Sequence, residues 1–158
     1  MRNTDRQPAD MNAFRAALRA LDLKATPQRL AVHEAMLKLG HASADMVLEQ
    51  IRSVSGIKIT TASIYNILTT LYEKGLYARM LSQDSKMYFD INSSKHIHMF
   101  DTKCNEFRDV DDEGILKVVE EHFRKRKFRG YKVDGIEIQL ICHSTRRKAK
   151  SEQTTICK

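Results

Sequence analysis

The sequence predicts an α+β protein, an N-terminal winged helix-turn-helix domain followed by a small C-terminal α/β dimerisation domain. Three observations predict it. Apolar residues recur at helical spacing as far as Gly75; from Leu76 the apolar period drops to two; and a fresh apolar pattern starts beyond the polar segment Asn92-Ser93-Ser94-Lys95. A length of 158 residues suits one domain or two small ones. The expected division is residues 1–91 for the winged helix, 92–95 for a hinge, 96–143 for the second domain and 144–158 for a basic, flexible tail.

The elements follow in order. Phe14, Ala17, Leu18 and Leu21 mark a first amphipathic helix. Thr26-Pro27 starts a second, with Thr as N-cap and Pro at the first helical position, and Gly40 stops it. Ser43 caps a third, whose inward face is Ala44, Val47, Leu48 and Ile51. A fourth opens at Thr60 or Thr61, carries Ile64, Ile67, Leu68 and Leu71 inward, and ends at Gly75. Leu76, Ala78 and Met80, then Met87, Phe89 and Ile91, alternate about the turn Gln83-Asp84-Ser85 and form the wing. Beyond the hinge, 96–110 suits two short strands. Residues 113–127 suit a helix with Leu116, Val119 and Phe123 inward, and Ile136, Ile138, Leu140 and Cys142 alternate as a last strand. So small a unit buries too little surface alone, which points to a homodimer formed through this half.

Composition narrows the class. There are 27 Lys+Arg against 20 Asp+Glu, so the formal charge is 27 − 20 = +7, and the pI is about 9.4. Excess positive charge favours a polyanionic partner, nucleic acid before membrane. No apolar run approaches the roughly 20 residues needed to span a bilayer, and the N-terminus carries no apolar signal segment. Three scattered cysteines form no disulfide framework, so a reducing, cytoplasmic setting is expected. The run Arg124-Lys125-Arg126-Lys127 with Arg129 reads as a solvated face.

With the apolar face of the fourth helix inward, Ala62, Tyr65, Asn66 and Thr69 point the other way. An amide suits adenine bidentately, and Ala or an aromatic edge suits a thymine methyl in the major groove. Lys24, Arg29 and Arg79 are placed to reach phosphates from the preceding helices and the wing. The competing reading packs Tyr65 inside the domain and leaves Asn66 as a solvated helix residue.

His96 and His98 stand two apart in a predicted strand, so both imidazoles leave one face and form a ready clamp for a transition metal. From Asp84 to Glu113 there are eight Asp/Glu and four Lys/Arg. Asp90 and Asp109 flank the pair on neighbouring strands, and His41 sits in the loop before the helix that Ser43 caps. Three nitrogens and two carboxylates suit Fe(II), Mn(II) or Zn(II) better than copper(I). The competing reading is a surface His41 with solvated carboxylates.

Five separated motifs then carry a resemblance: L-K-A-T-P-Q-R at 23–29, G-H-A-S-A-D at 40–45, I-T-T-A-S-I-Y-N-I-L at 59–68, Y-F-D-I at 88–91 and H-I-H at 96–98. Their order and spacing resemble the ferric uptake regulator (Fur) family of dimeric, metal-dependent bacterial repressors, over about residues 12–145. The resemblance implies a regulatory metal site at His41, Asp90, His96, His98 and Asp109, loaded with Fe(II) or Mn(II) and with Zn(II) as an alternative. It also implies a double-stranded operator built as an A/T-rich inverted repeat. Asn66 after Tyr65, and Asp109 rather than Glu, resemble the peroxide-sensing PerR branch. In that branch His41 and His96 would be the side chains oxidised by peroxide.

The family's structural zinc site uses two C-x-x-C pairs. Here the corresponding stretches are Asp101-Thr102-Lys103-Cys104 and Cys142-His143-Ser144-Thr145, so a four-sulfur site is impossible. Asp101, Cys104, Cys142 and His143 are left as a remnant zinc or redox set, or as buried thiols. Two alternatives stand beside the main reading. One is a haem-responsive or metal-independent regulator on the same fold, using Cys104, Cys142 or Cys157; the other is a metal-dependent hydrolase built on His96, His98 and Asp109.

Overall fold

The computed structural model describes Pro8 and residues 10–145. The expected basic tail, including Arg146, Arg147, Lys148, Lys150, Lys158 and Cys157, lies outside the described residues except for Ser144 and Thr145. The chain divides into two compact units, residues 1–94 and 95–158.

The first unit contains α1 (Met11–Ala20), α2 (Pro27–Leu39), β1 (His41–Ala42), α3 (Ala44–Val54), α4 (Thr61–Glu73), β2 (Ala78–Leu81) and β3 (Met87–Asp90). Each helix starts where a short polar side chain satisfies an orphan backbone donor. Asp10 accepts from the amides of Asn12 and Ala13, Thr26 from Arg29, Ser43 from Met46 and Thr60 from Ser63. Gly40, at φ +68°, ends α2 in a conformation a side chain would strain. Phe14 and Leu18 of α1, Val32 and Met36 of α2, Val47 and Ile51 of α3, and Ile64, Leu68 and Leu71 of α4 close around one core with Leu76, Tyr77 and Phe89. Burial of each such side chain is worth about 1.5–3 kcal/mol.

The wing turns at Ser85, φ +62°, where Ser82 and Lys86 close the hairpin. The sequence gives no sign of β1. Two residues after Gly40 pair antiparallel with β3, making a three-stranded sheet of order β1-β3-β2. His41, expected in a loop, therefore sits opposite Asp90, and Ala42 opposite Phe89.

The second unit contains β4 (Ile97–Asp101), β5 (Glu106–Val110), α5 (Glu113–Arg124) and β6 (Gln139–Cys142). β4 is central, antiparallel to β5 and parallel to β6. Buried apolar residues of this unit are Ile97 and Phe100 in β4 and Phe107 in β5. Three expectations are corrected here. The helix ends at Arg124 rather than 127, and Phe123 is exposed, while Leu116 and Val119 are only half-buried. The last strand is shorter than 136–142, and its Leu140 and Ile141 are about half exposed. Among the described residues, the apolar stripe of α5 and both faces of β6 lack a full cover: α5 buries none of its residues completely, and Leu140 and Ile141 lie on opposite faces of the strand. Among the described residues no helix is long and apolar enough to cross a membrane.

Candidate metal centre and nucleic-acid interface

In the first unit, pairing of β1 with β3 brings His41 Nε2 to 3.4 Å from Asp90 Oδ2. Asp90 is buried, and its other oxygen accepts the amide of Asn92 at 2.7 Å. That hydrogen bond fixes the carboxylate and leaves Oδ2 directed at the imidazole. In the second unit, His96 immediately precedes β4 and His98 lies within it. Their rings meet at a centroid distance of 4.2 Å, and His96 Nε2 is 3.1 Å from Asp109 Oδ1. His98 is buried edge-on against Phe107 and is the register partner of Asp109. The strand pairing thus determines which carboxylate each unit presents to its histidines.

Both arrangements fit a metal. Metal–ligand bonds of about 2.1 Å put neighbouring ligand atoms about 3.0–3.4 Å apart. The two imidazole–carboxylate separations, 3.4 and 3.1 Å, lie in that range. Imidazole nitrogen with carboxylate oxygen is a donor set for Fe(II), Mn(II) or Zn(II).

The outward face of α4 is mixed. Ala62 and Asn66 are exposed. Tyr65 is 41% exposed, with its ring set edgewise on Phe89 at 5.9 Å, so it packs on the wing and still reaches solvent. Thr69 departs from the expected face: it is half-buried and its hydroxyl is covered. Arg79 stacks over Tyr72, 4.3 Å from the ring centroid, while remaining exposed. Arg29 donates to the Lys24 carbonyl and so ties down the approach to α2, whereas Lys24 is itself exposed.

Sequence reasoning missed a cleft of about 770 Å³ in this unit. Thr26 and Thr60, the N-caps of α2 and α4, both line it, together with Gln28, Arg52, Lys58 and Asn66. Two helix N-termini and two cations at one opening give it a positive potential, which favours an anion. Lys58, two residues before the Thr60 cap, was the available signal; Arg52 and Gln28 join it only through the packing of α2, α3 and α4.

The family model of the ferric uptake regulator family matches residues 20–140. The chain belongs to the ferric uptake regulator family. Among its relatives, the peroxide-responsive repressor PerR of Staphylococcus epidermidis is 30% identical over 95 residues, covering 60% of this chain and 63% of that protein. The match therefore spans less than two thirds of that relative's length. The solved peroxide stress regulator of Campylobacter jejuni is 28% identical, with a TM-score of 0.62 over 84% of this chain and 96% of that one. The ferric uptake regulator of Pseudomonas aeruginosa, solved with manganese, is 25% identical, with a TM-score of 0.63 over 83% and 97%.

Within the ferric uptake regulator fold, the remnant zinc set is organised as a turn. Asp101 lies opposite Cys142 in the β4–β6 pair, but its Oδ1 accepts the amides of Lys103 at 2.8 Å and Cys104 at 3.4 Å. The Lys103 amide is the main reason this carboxyl sits below the usual carboxylate range. Thr102 then donates its amide and hydroxyl to the Cys142 carbonyl at 2.9 and 3.1 Å, and Lys103 Nζ donates to the Ser144 carbonyl at 3.3 Å. Cys104 and Cys142 are both half-buried and in no disulfide. Among the described residues Asp101, Cys104, Cys142 and His143 do not gather three ligand atoms at one point. Hydrogen bonds to backbone carbonyls join these two segments of the ferric uptake regulator fold.

Proposed function

We propose that this chain is a homodimeric, metal-dependent transcriptional repressor that reads an A/T-rich inverted repeat in double-stranded DNA in the cytoplasm. Tyr65 and Asn66 contact base edges; Lys24, Lys58 and the two helix N-termini contact phosphates. Membership of a regulator family sets the hydrolase alternative aside. One divalent ion, Fe(II) or Mn(II) with Zn(II) as the alternative, is held by His41, Asp90, His96, His98 and Asp109.

The observation that carries this reading is the pair of imidazole–carboxylate contacts at ligand spacing, 3.4 Å in one unit and 3.1 Å in the other. Asp90 and His96 bracket residues 91–95, so an ion gripping both sets restrains the segment joining the DNA-reading unit to the second unit. Ligand-linked restraint favours one arrangement of two reading heads on a palindrome, and coupling follows from that difference. Asn66, Asp109 and the peroxide-responsive relatives favour the PerR branch. Fe(II) held there would supply electrons for the reduction of peroxide, which Zn(II) would not, and His41 and His96 would be the imidazoles beside it.

The test is fluorescence anisotropy of an A/T-rich inverted repeat at fixed salt, first with chelator and then with Mn(II), because phosphate binding alone varies steeply with salt. Metal should tighten binding about tenfold or more, equivalent to about 1.4 kcal/mol of coupling. His98→Ala should abolish that response and leave a folded dimer. A metal response retained in His98→Ala would refute the site.

A further inference from the structure

The second unit carries a cleft of about 710 Å³ that neither the metal site nor the DNA-reading helix uses. Five cations line it, Lys95, Arg124, Arg126, Lys127 and Arg129, against two carboxylates, Glu120 and Asp134, so the lining carries 5 − 2 = +3. Lys95 pairs with Glu120, and Asp134 with Lys132. Among the described residues Arg124, Arg126, Lys127 and Arg129 have no ion-pair partner, so four cations converge without neutralisation.

Three aromatic rings line the same opening. Phe123 and Phe128 lie 6.3 Å apart at 30°, both more than a third exposed, and Tyr131 is 82% exposed. The chain reaches this arrangement by ending α5 at Arg124 and folding back: Arg126 donates its amide to the Phe123 carbonyl, and Tyr131 donates to the Phe128 carbonyl across Gly130 at φ +82°. In sequence the segment is Phe-Arg-Lys-Arg-Lys-Phe-Arg-Gly-Tyr-Lys at 123–132, cations interleaved with rings.

A purely solvated face needs the cations but not the rings, because exposing three aromatics to water costs hydrophobic free energy. An apolar contact between copies of the chain needs the rings but is opposed by four like charges. Flat π-faces beside an unneutralised positive track suit a partner that is polyanionic along its length and offers unpaired planar bases. Duplex DNA supplies phosphates, but its bases are already stacked. We propose that this cleft binds single-stranded nucleic acid, phosphates along Arg124, Arg126, Lys127 and Arg129, and bases on Tyr131 and the Phe123–Phe128 pair.

The experiment uses the full chain, loaded with Mn(II), and a fluorescein-labelled mixed-sequence single strand of about 20 nucleotides, long enough to fill a site of the usual size, as RNA and as DNA. Binding is read by anisotropy across a salt series. Arg126→Gln/Arg129→Gln should weaken binding and lower the slope of log K against log salt by about 1.4, about 0.7 for each lost phosphate contact. Tyr131→Ala should weaken binding about fivefold or more, the value of one stacked base, with the slope unchanged.

Binding to A/T-rich inverted-repeat duplex should be the same in both variants, and the dimer by light scattering should be intact. Affinity unchanged in Tyr131→Ala would reduce the cleft to a non-specific charge patch and overturn the proposal. Equal competition by duplex of the same length would overturn the single-strand assignment. Dissociation of the dimer in either variant would reassign the face to contact between copies.

Discussion

Acid should weaken the N-terminal unit through His33, a residue outside the proposed metal site. Its ring is fully buried, stacked on Phe14 at a centroid distance of 3.7 Å, with Nδ1 2.8 Å from the Tyr77 hydroxyl. These contacts join α1, α2 and the entry to the wing. Burial pushes the Tyr77 phenol above its usual range, so the hydroxyl keeps its proton in its hydrogen bond with Nδ1.

Burial also lowers the His33 pKa from 6.5 to about 4, outweighing the opposite pull of Asp10. The unfolded chain takes up this proton near pH 6.5 and the folded chain only near 4. Stability is therefore fully present above about pH 6.5 and declines as the pH falls toward 4. The gap, 6.5 − 4 = 2.5, at about 1.4 kcal/mol for each pH unit, amounts to about 3 kcal/mol.

The comparison that isolates the effect is His33→Phe/Tyr77→Phe, which removes both partners. His33→Phe alone leaves the Tyr77 hydroxyl buried without its hydrogen-bond partner, at a cost of about 1–3 kcal/mol at every pH. Urea unfolding followed by circular dichroism at pH 7, 6, 5 and 4.5 should show a steep fall for the natural chain and a shallower one for the double variant. Equal slopes in the two proteins would refute the assignment of acid sensitivity to His33.

Three further outcomes are expected. In a His98→Ala background, which removes a ligand of the proposed regulatory site, a chelator should leave Tm unchanged, whereas Asp101→Ala should cost about 1–2 kcal/mol because two turn amides lose their acceptor; a chelator-induced fall in Tm would show instead that zinc holds the 101–104 turn. Asn66→Arg should change which operator sequences bind rather than weaken all of them equally, measured by binding to a randomised inverted-repeat library; a uniform change would show that Asn66 reads no base. Peroxide should add one oxygen atom to a peptide carrying His41 or His96 only when Fe(II) is bound, read by mass spectrometry of a digest; unmodified histidines after that treatment would exclude a peroxide-sensing role.

Much of this protein was legible as pattern. Helix starts at Thr26, Ser43 and Thr60 need only a short side chain three residues ahead of an amide, which is a local property of the chain. The alternation after Leu76 predicts the wing for the same reason. His96 and His98 were recognisable as a pair because strand geometry repeats every two residues.

The remaining features depend on distant parts of the chain. β1 is two residues long and exists only because β3 offers it a partner, yet it carries His41 to Asp90. Thr69 follows the outward spacing of Ala62 and Asn66, but neighbouring elements cover its hydroxyl. Phe123 fits an inward stripe, but the described residues leave it more than a third exposed, and the chain turns back so that it shares a basic cleft with Phe128 and Tyr131. Local hydrogen bonding and side-chain periodicity determined the helices, the wing and the order of the two units. Strand register, burial and the convergence of charges depend on what packs against each element, and those only the tertiary structure decided.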